Sequence, residues 1–416
     1  MKSLLAARRV TVPRDLGAVS RIDHAAECDP REAGMTEAGV EAIWSALGRL
    51  YRSGLHPAMT VALRRRGKLV MKRSIGATSG NLPGERGPQV PLRPDSPLCL
   101  FSASKSVSAL LVHKLVDLGL LRLEDRVADY IPEFAAHGKG RVTVRQLLGH
   151  RAGIPALPDA DPSPDTIGDW DRIVAMLCEA PPFDPDFGKQ AYHALTCGYI
   201  IGELVRRVAR IELPQALREW IAQPLNCRYL HFGMPPEQRG LLPRNTLTGP
   251  RPVWPLTTYV RHAVGVSFDR AVELSNHEAF LSGVVPAGNI CASADDACRV
   301  FQMLLNGGEL DGVRVLREET VREAVRPLGP IQYDRTLLAP LRFSAGFMLG
   351  ENPFGLYGPR CGQAFGHLGF VSVLCWADPA RDISVALLNT GKSLAPSGLT
   401  RMARVLGEIA KACPQV

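Results

Sequence analysis

The sequence predicts an α/β chain in which segments from both ends build one sheet and a long helical stretch lies between them. Three observations carry this. Two short apolar runs, residues 59–63 and 69–71, flank a basic tip with a turn-prone glycine and read as a β-hairpin. From Ala103 to about Gly283 the apolar periodicity is mostly helical, broken by proline-rich connections. Residues 369–376 and 383–388 then read as two strands joined by the turn 378–382, and a helix over 398–412 follows.

Composition sets the bounds. With 416 residues, 46% hydrophobic and 22% charged, the chain is long enough to bury a large core as one big domain or two interleaved ones. No apolar run approaches the length of a membrane span. The opening Met1-Lys2-Ser3-Leu4-Leu5-Ala6-Ala7-Arg8-Arg9 is too short in its apolar part for a secretory signal, so a cytoplasmic protein is expected. The ten cysteines are scattered without Cys-x-x-Cys pairs and are expected as reduced thiols, with no metal site and no cofactor. A net charge of +8 raises the question of nucleic acid, but the basic residues are dispersed. Their densest cluster, Arg64-Arg65-Arg66-Gly67-Lys68, reads as the exposed hairpin tip and lacks interleaved aromatics, so no nucleic-acid partner is expected.

Taken in order, residues 1–30 read as an irregular leader. Residues 36–51 read as a helix capped by Thr36, with Val40, Ile43, Trp44, Leu47 and Leu50 on its buried face. After the hairpin, the Gly/Pro-rich stretch 77–97 is a loop that delivers the chain to Ser102. The helix begun there runs to Gly119 with Val107, Leu110, Leu111, Leu115 and Leu118 on one face. Residues 143–150 and 171–178 are short helices, and a longer one runs from Leu195 through Val208. Ser293 caps another, which Gly307-Gly308 closes. The sheet domain is therefore assigned to 31–101 and 285–416, and the mainly helical domain to 102–284, with the active site in the cleft between. Segments 160–166 and 239–264 are expected to shape the pocket.

The chemistry starts at Leu98-Cys99-Leu100-Phe101-Ser102-Ala103-Ser104-Lys105. Three residues along a helix is nearly one turn, which sets the Lys105 amine beside the Ser102 hydroxyl. A serine hydroxyl needs a proton acceptor to attack, and a lysine serves once its pKa is lowered. The competing reading makes Ser102 an N-cap and Lys105 a surface charge. Tyr192, at a polar loop tip over 188–194, is placed to move a proton. Gly366-His367-Leu368-Gly369, ahead of a strand, offers close backbone approach and an N–H donor.

These motifs resemble those of the serine β-lactamase and penicillin-binding protein superfamily, in its class C β-lactamase-like branch with the family VIII carboxylesterases. Ser102-Ala103-Ser104-Lys105 resembles Ser-x-x-Lys. Tyr192-His193-Ala194 lies where the branch has Tyr-x-Asn, and His367-Leu368-Gly369 where it has Lys-Thr-Gly or His-x-Gly. Linking segments 120–134, 147–154 and 199–205 are similar too. The resemblance implies a β-lactamase/transpeptidase-like fold, an antiparallel sheet flanked by helices plus an all-helical domain. It implies Ser102 as acylated nucleophile, Lys105 with Tyr192 as proton relay, and the N–H groups of Ser102 and Phe370 as oxyanion hole. His367, Gly369 and His193 would contact substrate.

The departures from the pattern shape the expected activity. Ala194 replaces the asparagine that contacts an acylamide in β-lactamases, and His367 replaces a cation for the substrate carboxylate. The expectation is a carboxylesterase acting on small esters. The alternatives are lactam or D-amino-acid peptide hydrolysis on a small-molecule amide, or a non-catalytic penicillin-recognising module. Other chemistries lack their residues. There is no Gly-x-Ser-x-Gly elbow, Thr390-Gly391-Lys392-Ser393 lacks the first glycine of a phosphate loop, and His277-Glu278 lacks a zincin's second histidine.

Overall fold

The computed structural model describes residues 8–85, 87–158 and 163–416. Its centre is a sheet of strands β1 (Ser20–Ile22), β2 (Ala58–Arg65), β3 (Lys68–Ser79), β7 (Met348–Leu349), β8 (Phe365–Leu368), β9 (Leu374–Asp378) and β10 (Ile383–Asn389), counting between them β4 (Leu98–Cys99), β5 (His231–Phe232) and β6 (Ile290–Ala292) of a smaller sheet. A short strand β11 (Gly391–Lys392) follows. The order across the main sheet is β1-β3-β2-β10-β9-β8-β7, with every neighbour antiparallel. Strands from the two ends of the chain meet at β2 and β10, where Ala62 stands opposite Ala386.

The period-2 alternation of these strands decides which helices cover which face. Met59, Val61, Leu63, Leu374, Trp376, Val385 and Leu387 point to one side. There they meet α1 (Glu37–Tyr51) and α7 (Pro396–Ala412), which also pack on each other. Thr36 caps α1 by accepting the Gly39 N–H at 3.0 Å. The opposite face carries the smaller Ala62, Cys375, Ala377 and Ala386, and their size lets α6 (Ala294–Leu305) lie close against β2, β9 and β10. Ser293 caps α6 in a reciprocal capping box with Asp296.

Helices α2 (Ser104–Asp117), α3 (Val144–Leu148), α4 (Trp170–Glu179) and α5 (Thr196–Ala209) supply the helical stretch. α2 is not the one-sided helix its periodicity predicts, because every residue from Ser104 to His113 is buried. The serines make that possible, since each hydroxyl finds a partner. Ser106 donates to Gly346 O (3.1 Å), Ser108 donates to Pro286 O (2.6 Å), and Ser104 accepts the Ile290 N–H (3.0 Å). Leu118, assigned to the buried face, is half exposed.

Four other expectations change. Within the leader, Ser20–Ile22 adds an edge strand against Arg73, Ser74 and Ile75, three residues being too few to show a period, while residues 1–7 lie outside the described ones. The basic cluster is an exposed tip only at Arg66, Gly67 and Lys68. Pairing with β10 continues through Arg65, so both remaining arginines are buried and partnered. Arg64 lies 2.6 Å from the Asp295 carboxylate, and Arg65 donates to Gly34 O, Ala412 O and Pro414 O at the end of α7. In the loop after β3, Val90–Pro91 pairs back onto that strand. The strand expected over 369–376 begins only at Leu374, because residues 369–373 form the reversal between β8 and β9.

Of the two segments expected to shape the pocket, residues 159–162 lie outside the described ones, and Leu256–Val264 is helical. No helix among the described residues is long and apolar enough to cross a membrane.

Candidate active site

Ser102 sits in a single 3-10 turn, Phe101–Ala103, between β4 and α2. β4 is held by β6, with Leu98 opposite Ala292 and Cys99 opposite Cys291, and the Leu100 N–H reaches Ile290 O at 2.8 Å. The turn is tight enough to put Phe101 at φ 50°, in the left-handed region where a non-glycine residue is strained. This arrangement discounts the N-cap reading of Ser102. The residue flanking α2 is Ala103, and no side chain caps the helix. The half-buried Ser102 hydroxyl is left for other work.

Lys105 provides the partner. Its amine is buried and donates to Ser102 Oγ (3.1 Å), Ala194 O (2.6 Å) and Ala287 O (3.1 Å). Among the described residues no carboxylate contacts it, so burial dominates and pulls its pKa down to about 8. The Nζ atom lies 4.7 Å from the centre of the Tyr192 ring.

Tyr192 is not at an exposed loop tip. It is buried, its backbone N–H donates to Asp334 Oδ1 (3.1 Å), and its ring lies among His150, Phe343 and His367. Burial pushes its phenol pKa strongly upward, and the nearby Ser102 side chain offsets this only in part. A lysinium–phenolate pair is disfavoured here. Burial acts against both ions, leaving a neutral phenol and an amine that gives up its proton near neutrality.

His367 lies within β8 and not ahead of it, opposite Cys375. It is buried, with Nδ1 against Leu368 O (2.6 Å) and Nε2 without a partner. Burial, with Lys105 nearby, holds it neutral with a pKa of about 3. The two glycines of that motif are demanded by the chain itself. A methyl on Gly366 would strike Cys375 O, and one on Gly369 would strike Leu100 O and lie 2.7 Å from Val373 Cβ. The Gly369 N–H is taken by Val373 O at 2.7 Å, so this residue offers substrate no donor. By contrast, no acceptor takes the N–H of Ser102 or of Phe370 among the described residues.

His193 is misplaced for substrate contact. It is fully buried, with Nδ1 against Ala191 O (2.6 Å) and Nε2 accepting the Ile154 N–H (3.2 Å). Its neighbour in space, His150, accepts the His193 N–H and packs 4.8 Å from the Tyr192 ring centre, a contact the sequence offered only as part of a linking segment. Phe101, Phe268 and Phe370 form an aromatic row with centroid spacings of 5.6 and 5.3 Å. Asp334 and Phe268 carry no motif, and nothing in their sequence surroundings marks them. Among the described residues no group of three or more His, Cys, Asp or Glu side chains is placed to hold a metal ion.

A hydroxyl bonded to a buried amine, a neutral phenol packed against that amine, and two backbone N–H groups without acceptors are the equipment of covalent acyl transfer. Residues 46–407 match the family model described as beta-lactamase. The chain belongs to the beta-lactamase family. It is 32% identical over 334 residues to the esterase/beta-lactamase LipL of Mycobacterium tuberculosis, covering 78% of this chain and 76% of that one. Among solved structures, a family VIII carboxylesterase superposes with a TM-score of 0.76 at 26% identity, over 90% of this chain and 97% of the other. A penicillin-binding protein homologue from Caulobacter crescentus gives 0.75 at 30% identity, with the same coverage. The protein is a serine hydrolase of the beta-lactamase superfamily, with that superfamily's antiparallel sheet and many helices.

Proposed function

We propose that the protein is a carboxylesterase that hydrolyses small uncharged esters through an acyl-enzyme on Ser102. The observation that carries this reading is the Lys105 amine, 3.1 Å from Ser102 Oγ, buried without a carboxylate and deprotonating at about 8. As the free base it accepts the serine proton while Oγ attacks the ester carbonyl. The Ser102 and Phe370 N–H groups receive the oxyanion, and as it collapses the Tyr192 phenol passes its proton to the departing alkoxide while Lys105 returns the serine proton to the phenol, so both groups end neutral. Water repeats the sequence to release the acid. Ser102, Lys105 and Tyr192 come from the helical stretch 102–284, and His367 and Phe370 from the sheet segments, so substrate would enter where the two meet.

Two positions favour an ester over a lactam. Ala194 offers no side-chain hydrogen bond to an acylamide, and His367, buried and neutral, offers no charge to a carboxylate. An esterase among the relatives and the family VIII carboxylesterase among the solved structures support the same choice, while LipL is named for both activities. The test is intact-protein mass spectrometry after an alkyl fluorophosphonate, alongside turnover of p-nitrophenyl butyrate and a chromogenic cephalosporin. We expect one phosphonyl adduct, at Ser102, absent in Ser102→Ala, and a much larger kcat/KM for the ester. Ser102→Ala retaining most ester turnover, or cephalosporin turnover matching the ester, would sink the reading.

A further inference from the structure

The proton chemistry above leaves unused a second buried lysine beside the Ser102 turn. Lys392, in β11, is fully buried, and its amine donates to Asn389 O (3.0 Å) and Phe370 O (3.4 Å). It also lies 4.3 Å from the centre of the Phe101 ring. Phe101 is the residue before Ser102, and Phe370, whose N–H has no acceptor among the described residues, packs its ring 5.6 Å from that of Phe101. One amine therefore touches both turns from behind.

Those turns need holding. Phe101 at φ 50° and Val371 at φ 72° are both strained, the second being β-branched. Asn389 already grips the far side of the 369–373 turn, donating to Ser372 O (2.8 Å) and accepting from Ser372 Oγ (3.2 Å). That leaves Phe370 itself, which carries the donor, tied by a single Ser372 N–H on its carbonyl apart from Lys392. Among the described residues no carboxylate contacts Lys392, and the titratable groups whose charge couples to it include Cys99 and His56. Burying an amine in this way is costly, and its compensation comes from two carbonyls and one aromatic face. An apolar side chain of the same length would fill the space more cheaply.

We propose that Lys392 is a positioning residue for acyl transfer, its amine clamping the Phe370 turn to the Phe101–Ser102 turn and so fixing the spacing of the two oxyanion donors. This rests on the esterase reading of the site, in which those N–H groups receive the oxyanion. The role is felt in the transition state, because donors out of place by about half an ångström lose stabilisation there while ground-state binding barely changes.

The experiment compares Lys392→Met, which keeps the volume and loses donor and charge, with Lys392→Gln, which keeps an N–H donor. Both are assayed with p-nitrophenyl butyrate, with rates expressed per Ser102 titrated by fluorophosphonate. We expect Lys392→Met to lower kcat about ten- to a hundredfold with KM changed less than about threefold, and Lys392→Gln to fall between it and wild type. If Lys392→Met fails to fold, the Gln variant decides by the same criterion of a lowered kcat at unchanged KM. A wild-type kcat per titrated site in the folded variants, with only yield or melting temperature reduced, would overturn the clamp and leave the esterase intact. Failure of wild-type Ser102 to label would instead remove the esterase reading on which the clamp rests.

Discussion

The pH dependence of acylation is the most direct consequence of the site's burial. Lys105 must lose its proton to serve as base, and its pKa is held at about 8 in place of the ordinary 10.5. Roughly one molecule in eleven then carries the free amine at pH 7 and ten in eleven at pH 9, so kcat/KM should rise about tenfold between them and level off above. Activity is lost as pH falls through 8. Stopped-flow acylation by p-nitrophenyl butyrate from pH 6 to 10, corrected for spontaneous hydrolysis, measures it. Lys105→Met should lose a factor of about 10² to 10⁴ and the pH dependence with it.

Stability gives an independent check with its own sign. The unfolded chain holds the Lys105 proton up to about 10.5, whereas the folded one releases it near 8, so folding gains stability as pH rises through that window. The penalty, fully present below 8, is about 3 kcal/mol, and the Lys105→Met variant should show a correspondingly flatter stability profile than wild type. A rate plateau already reached at pH 7, a rise continuing past pH 10, or a Lys105→Met variant within tenfold of wild type would refute the assignment of Lys105 as base.

Two further outcomes are expected. Tyr192→Phe removes the neutral phenol packed against Lys105, and single-turnover acylation should fall by about two orders of magnitude or more. Combined with Lys105→Met the loss should barely deepen, since the two share one proton path, and multiplicative losses would separate them. Gly369→Ala drives a methyl into Leu100 O, so it should lower stability by about 1–3 kcal/mol and kcat/KM more than tenfold. Denaturant unfolding and ester turnover of that variant test this, and wild-type values in both would show that the Phe370 turn relaxes freely.

The fold was legible wherever local physics and global position agree. α1 with its Thr36 cap, α6 with its Ser293 capping box, and the β2–β3 hairpin satisfy their own backbone groups and alternate in hydrophobicity as their place in the layers requires. Legibility failed where a long-range partner decides. Nothing near Arg65 announces that the far end of the chain supplies carbonyl acceptors, so a triple arginine beside a glycine reads as a solvated tip. The edge strand Ser20–Ile22 exists because Arg73, Ser74 and Ile75 present an open edge. Its own three residues hold no pattern.

At the site, spacing located Ser102 and Lys105 because three residues in a helix fix their neighbourhood whatever surrounds them. Protonation was not legible, because it depends on what surrounds them. From sequence, a lysine and a tyrosine sharing one relay leave open which of them takes the serine proton. In the structure neither has a countercharge and both are buried, so desolvation exceeds their attraction and each moves toward its neutral form. The same reasoning applies to His367, neutral between Lys105 and the sheet, and to Lys392, whose pKa falls to about 7. A site of this kind has little charge to offer a charged substrate and spends none on a counter-ion. On the esterase reading, its reactivity rests on an amine that burial lets shed its proton near pH 8 and on two backbone donors whose placement the neighbouring turns must hold.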